Sequence, residues 1–255
     1  MPPPSSASLP EQVDLLSGSA GDDPALDVAL PHALLDLLAA GRRRPVLRCY
    51  QPRATVAFGR RDAFLPGFPT AAAAARRHGF APVIRGAGGR AAAYDEGSLI
   101  FDEVMSADGS QIRERFADDA HRQAEALHRL GVDARVGEVA GEYCPGEFSV
   151  NARGRVKLIG AAERIVRGAW LHSSVVVVKG SERVRTVLED VYAALGLDWD
   201  PDSVGDVTTE APGVGIEDVR AALLTEYRTR YTLEPASLSA ADLARADELL
   251  ARHRV

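Results

Sequence analysis

The chain has 255 residues, 46% of them hydrophobic, with 30 basic and 36 acidic side chains and a net charge of −6. That length supports one substantial core, and the acidic balance argues against a protein that coats nucleic acid. Two cysteines form no disulfide framework, and no apolar run is long enough to span a bilayer.

The opening Met-Pro-Pro-Pro-Ser-Ser-Ala-Ser lacks the charged and apolar regions of a secretory signal, so a cytoplasmic protein without membrane partners is expected. Pro, Ser and Gly dominate residues 1–20, which are expected to be mobile. Asp23-Pro24 reads as an N-cap and first-turn proline, opening an amphipathic helix that continues through Leu38 and stops at Gly41. A strand is predicted over 45–50, with 54–58 as its hairpin partner. An alanine-rich helix over 70–78 ends at Gly79, and His78 reads as structural.

The central stretch is Val83-Ile-Arg-Gly-Ala-Gly-Gly-Arg-Ala-Ala-Ala-Tyr-Asp95. A strand over 80–84 enters a turn containing Gly86, Gly88 and Gly89, bracketed by Arg85 and Arg90, and a second strand begins at Ser98. Glycines let backbone approach a ligand and expose N–H groups to an anion, and arginine forks suit carboxylate or phosphate. A tight hairpin with solvated arginines fits the same spacing.

Ser110 is expected to cap a helix reaching Leu130, with His121 and His128 on its surface. A short strand follows over 132–136. Glu142 to Asn151, a turn at Ala152-Arg-Gly154, and Arg155 to Gly160 read as strand, turn and strand. More strand runs to the four valines ending at Val178, a pattern covered on both faces. Ser181 is expected to cap a helix to Leu195, 198–215 reads as a linker, and helices over 216–231 and 239–253 close the chain. Hairpins mixed with helices indicate an α+β (mixed α/β) fold with a largely antiparallel sheet.

Only Lys157 and Lys179 are lysines in a chain that otherwise uses arginine. A site needing a compact ammonium would retain one; a snorkelling strand residue would look the same. From the residues alone, Cys144 reads as a small buried hydrophobe and Glu147 as a solvated turn residue.

In order and spacing, several segments resemble the lipoate- and biotin-protein ligase superfamily, which includes the octanoyltransferases. They are Asp23-Pro-Ala-Leu-Asp-Val-Ala-Leu, Leu47-Arg-Cys-Tyr-Gln-Pro52, Ala57-Phe-Gly59, the Arg85–Asp95 loop and Lys157-Leu-Ile-Gly-Ala-Ala-Glu-Arg164. Residues 217–250 look like the helical tail of the lipoate branch. The resemblance implies a class II synthetase-like catalytic domain over 21–200, its sheet flanked by helices, with a helical extension over 201–255 packed on it. It also implies an enzyme that activates lipoate or a medium-chain acid with ATP and acylates a lysine of a lipoyl carrier domain. Lys157 would be catalytic, Glu147 would hold Mg²⁺, and Arg85, Gly88, Gly89, Arg90, Asp95, Gly160 and His172 would bind the small-molecule acid.

Two alternatives follow from the same resemblance. One is an ATP-independent octanoyl or lipoyl transferase that takes octanoate from an acyl carrier protein onto Cys144 as a thioester. The other is a silent module that binds an acid or a lipoyl domain. Ile84, Tyr94 and Glu163 depart from the family pattern, which usually has arginine, histidine and glutamine there.

Overall fold

A computed structural model describes residues 11–107 and 109–255. Its strands are β1 (Glu11–Ser17), β2 (Val46–Tyr50), β3 (Thr55–Phe58), β4 (Ala81–Ile84), β5 (Ala92–Tyr94), β6 (Ser98–Ser106), β7 (Ala134–Val136), β8 (Val150–Ala152), β9 (Val156–Val166), β10 (Ala169–Val177) and β11 (Tyr231–Ala236). Its helices are α1 (Pro24–Ala39), α2 (Phe68–Arg77), α3 (Ile112–Arg129), α4 (Ser181–Leu195), the single turn α5 (Val207–Glu210), α6 (Ile216–Arg228) and α7 (Ala240–Leu250). An eight-stranded sheet runs β11-β1-β2-β6-β10-β9-β8-β7, and a three-stranded sheet runs β4-β3-β5. The large sheet is antiparallel except at the β11-β1-β2 edge. The α+β architecture with flanking helices therefore holds.

Four local expectations change. Mobile chain was expected through residue 20, but Glu11–Ser17 is strand, and residues 1–10 lie outside the described residues. Val13 and Leu16 are buried between β11 and β2, and Asp14 is gripped by Arg43 and Arg44. Two buried aliphatic side chains, each stabilising by about 1.5–3 kcal/mol, outweigh the local Pro, Ser and Gly. Second, β3 does not pair with β2. Both edges of β2 are already hydrogen-bonded, to β1 and β6, so the chain leaves the sheet and β3 founds the small one.

Third, residues 142–149 form a loop, not a strand. Cys144 takes a left-handed φ of +43°, and Pro145-Gly146 follows it. Fourth, 198–215 is packed, and the C-terminal extension is not purely helical. Val204 and Val207 are buried, and Asp206 accepts from Ser181 N (3.0 Å) and Oγ (2.7 Å). The start of α4 is thus served by a distant carboxylate, with Gly180 as the N-cap. After α6, β11 adds the edge strand beside β1, and α7 packs on α1.

One buried device joins α1 to the sheet. Pro31 sits inside the helix and lacks an N–H, so the Asp27 carbonyl loses its i+4 donor. Arg48 of β2, 0% exposed, donates to that carbonyl at 3.2 Å and also pairs with the Asp27 carboxylate. A proline that would weaken an isolated helix thereby anchors a buried guanidinium.

Candidate active site

Three segments converge beside β9 of the large sheet: the glycine loop between β4 and β5, the 142–149 loop, and Lys157 on β9 itself. Tyr192 of α4 ties the first two together. Its Oη donates to Ala91 O (2.9 Å) and accepts from Cys144 N (2.8 Å). The glycine loop lies so close to Gly59 that a Cβ there would fall 2.0 Å from Gly89 O. Arg90 pairs with Asp62 at 3.0 Å, and that buried carboxylate also accepts from Gly59 N at 2.9 Å.

This framework aims two donors at one sulfur. Arg85 Nη2 and Arg90 N each lie 3.2 Å from Cys144 Sγ, and Arg85 Nη2 also donates to Arg90 O at 2.7 Å. Gly89 has φ +98°, and a Cβ on it would sit 2.5 Å from Arg85 Nη2 and 2.7 Å from the sulfur. Burial pushes the thiol up most strongly, but the charges of Arg85 and Lys157 and the two hydrogen bonds outweigh it and hold it below its ordinary value. Cys49, buried in β2, is instead pushed up to about 12 by desolvation.

Lys157 is 2% exposed. Its Nζ donates to Cys144 O (2.9 Å), Tyr143 O (3.1 Å) and Glu142 Oε1 (3.3 Å). Those contacts use all three of its N–H donors. Glu142 closes the loop by accepting from Gly146 N (2.8 Å) and Ser149 Oγ (2.6 Å). Gly160 leaves room for the lysine, since a Cβ there would lie 2.7 Å from Lys157 Cε. The lysine therefore holds the strained cysteine backbone in place.

Cys144 faces a cavity of about 400 Å³. Gly88 and Gly89 form one wall, Phe116 and Phe148 another, and Ala161 and Ala162 line it from β9. A smaller chamber of about 50 Å³, lined by Arg85, Ala87, Tyr94 and Ile100, shares Ala162 with it.

Of the residues expected to bind the acid, Gly88 and Gly89 line the large cavity, Arg85 and Arg90 hold the sulfur, and Gly160 accommodates Lys157. Asp95 and His172 do not line the cavity. Asp95 fixes a turn through Gly97 N (2.8 Å) and pairs with Arg183 (2.8 Å). His172 lies beneath Phe116 (ring centroids 4.7 Å apart) and 3.1 Å from Asp119. Glu163, on the wall, is spent on Arg115.

Glu147 stands exposed at the cavity edge, paired with Arg113. Among the described residues no three His, Cys, Asp or Glu side chains converge on a possible metal position. Glu147 could offer a magnesium ion one carboxylate, which Arg113 now holds, with substrate phosphates and water completing the shell.

Sequence reasoning missed Tyr192, Asp62, Glu142 and the two phenylalanines. Glu142 lay two residues from Cys144, and only burial distinguishes it from a solvated turn acid. Tyr192 carries no sequence signal beyond its place on the apolar face of a helix.

Curated relatives include an octanoyl-GcvH:protein N-octanoyltransferase of Geobacillus kaustophilus, 31% identical over 66% of this chain and 60% of the relative. One from Exiguobacterium sibiricum is 34% identical over 58% of this chain and 55% of the relative. The match thus spans about three-fifths of these relatives' length. Among solved structures, a bi-partite lipoate protein ligase of Thermoplasma acidophilum superposes with a TM-score of 0.75 at 23% identity, covering 96% of this chain and 93% of that one. A lipoate-protein ligase A bound with ATP gives 0.74 at 24% identity, covering 95% of each chain. These two likenesses concern the fold. The model of the lipoyl protein ligase A/B catalytic domain matches residues 23–228, a span containing the glycine loop, Cys144 and Lys157, and the chain belongs to that family.

Proposed function

We propose that this chain is an acyltransferase that carries an octanoyl-type group between carrier proteins through a thioester on Cys144, without ATP. One observation carries the reading. The cysteine sulfur faces the apolar cavity and is held by a guanidinium and a backbone N–H, while the Lys157 ammonium, on the same cavity wall, gives all three of its N–H donors to protein acceptors. The ATP-dependent ligase expected from the sequence needs that ammonium at the reacting carboxylate. The octanoyltransferase names of the curated relatives support the same choice.

The steps balance without a co-reactant. The Cys144 thiolate attacks the acyl carbonyl of the donor carrier, and the bond from carbonyl carbon to carrier breaks as the leaving atom takes a proton. A lysine amine of the acceptor carrier then attacks the thioester carbonyl, loses a proton, and regenerates the thiolate. Each attack moves charge from sulfur or nitrogen onto the acyl oxygen, and Arg85 stands beside the sulfur to answer it. Phe116, Phe148 and Ala162 provide an apolar bed in which each buried methylene stabilises by about 0.8 kcal/mol.

Intact-mass analysis after incubation with an octanoylated carrier domain tests the reading, alongside ATP–pyrophosphate exchange with octanoate and lipoate. The wild type should gain one octanoyl group, removable by hydroxylamine, and Cys144→Ser should gain no hydroxylamine-labile group. Pyrophosphate exchange, with transfer retained in Cys144→Ala, would restore the ligase. Carrier binding with neither reaction would leave only the silent module.

A further inference from the structure

A third recess, about 60 Å³, opens beside Gly86; it shares His32 and Arg85 with the small chamber and no lining residue with the large cavity. Its walls bring together His32 from α1, Arg60 after β3, Arg85, Arg164 from β9, and Arg252 and His253 after α7. Most arginines of this protein answer a carboxylate, as Arg48, Arg90, Arg115, Arg122 and Arg183 do. None of Arg60, Arg85, Arg164 and Arg252 has such a partner among the described residues. Asp36 is the one carboxylate on the wall, and Arg245 holds it at 2.6 Å. In a chain with a net charge of −6, this concentration of uncompensated positive charge is not a consequence of composition.

The recess is also built. His32 and His253 stack with ring centroids 5.2 Å apart, and His253 Nδ1 is fixed on Ile84 O at 2.7 Å. Gly86 makes room, because a Cβ there would sit 2.7 Å from the His32 ring. Arg164 Nη1 donates to Gly86 O at 3.3 Å. His32 is 8% exposed, lines the recess, and has no hydrogen-bond partner among the described residues. Burial first, then the charges of His253, Arg164 and Arg60, drive its pKa down to about 3, so the ring is neutral and can donate from one nitrogen.

We propose that this recess binds a phosphate-type dianion. Guanidinium forks match phosphate oxygens, and four arginines around one opening, two half-buried and two exposed, repel one another without a counter-charge until an anion joins them. At about 60 Å³ the recess is several times the roughly 10–15 Å³ that a single water requires, which leaves room for one small tetrahedral oxyanion. Arg85 is shared, lining this recess while donating to Cys144 Sγ. An anion bound there competes for the same guanidinium and slows reaction of the thiol. The binding claim stands independently of the acyltransferase reading.

The test titrates the full chain, in phosphate-free buffer, with inorganic phosphate and separately with glycerol 3-phosphate. The His32 imidazole is followed by NMR, and the heat by calorimetry. A saturable His32 shift is expected. It should weaken by at least about tenfold in Arg60→Ser/Arg252→Ser, which removes two charge-assisted contacts from exposed positions. The unfolding midpoint of that variant in phosphate-free buffer should not fall. A tighter response to the organic monoester assigns the ligand to that class, and equal responses assign it to free phosphate; either supports the site. No saturable shift with either compound, or equal binding by the double variant, overturns the proposal. So does a shift produced only by an acidic carrier domain, which would make the recess a protein-docking surface.

Discussion

Replacing Arg85 by glutamine removes the charge 3.2 Å from Cys144 Sγ while keeping a planar amide. Two unit charges about 4 Å apart interact by about 4 kcal/mol at an effective dielectric of ~20. The guanidinium charge is spread over three nitrogens, and Lys157 and the Arg90 N–H remain near the sulfur. The net loss should therefore be about half, ~2 kcal/mol, which lowers the thiolate fraction by roughly 30-fold. The remaining thiolate is more nucleophilic, with a Brønsted slope near ~0.5, so the observed rate should fall by only about fivefold. Alkylation by iodoacetamide, followed by intact mass across a pH series, measures this directly. Cys49 does not interfere, because it is 1% exposed and its thiol is pushed up to about 12. The rising limb of the rate–pH profile should move to higher pH in Arg85→Gln. A superimposable profile in a folded variant would refute the claim that this guanidinium activates the sulfur.

Two further predictions concern stability. Lys157→Met should lose about 3–5 kcal/mol, since it leaves two buried carbonyls and the Glu142 carboxylate without their shared cation. Urea unfolding reads this as a lower midpoint, and an unchanged midpoint would refute the anchoring role. The pH dependence of His32 has a definite sign. The unfolded imidazole takes up a proton below about pH 6.5, whereas the folded ring stays neutral to about 3. The unfolded state therefore binds more protons, and stability falls as pH drops through that window. His32→Gln should flatten the loss in unfolding free energy between roughly pH 6.5 and 4.5 by about 2 kcal/mol. An acid limb identical to the wild type would show that the ring protonates in place.

The elements that read most clearly in the sequence are those whose local signals agree with their packing. Asp23-Pro24 announces α1, the run ending in Val175 to Val178 announces the covered strand β10, and Ser239 with Asp242 announces α7. The glycine-loop and lysine motifs, the largely antiparallel sheet and the family were also legible, because their residue types and order survive without coordinates. Where distant partners decide, local signals fail. β11 hides behind Pro235 and depends on β1 beside it. Ser181 looks like a cap but donates to Asp206 instead.

Sequence alone therefore determined the parts: a double-glycine turn between arginines, a cysteine upstream of a near-solitary lysine, and the helices and strands that carry them. Only the tertiary structure decided their roles. It set the lysine on the cavity wall, bracing the cysteine backbone, and aimed Arg85 at the sulfur. It moved Asp95 and His172 away from the cavity and gathered six basic side chains around an unforeseen recess. The physical reason is range. Backbone preference acts over a few residues, whereas burial, charge and hydrogen-bond partnership depend on groups that meet only after folding.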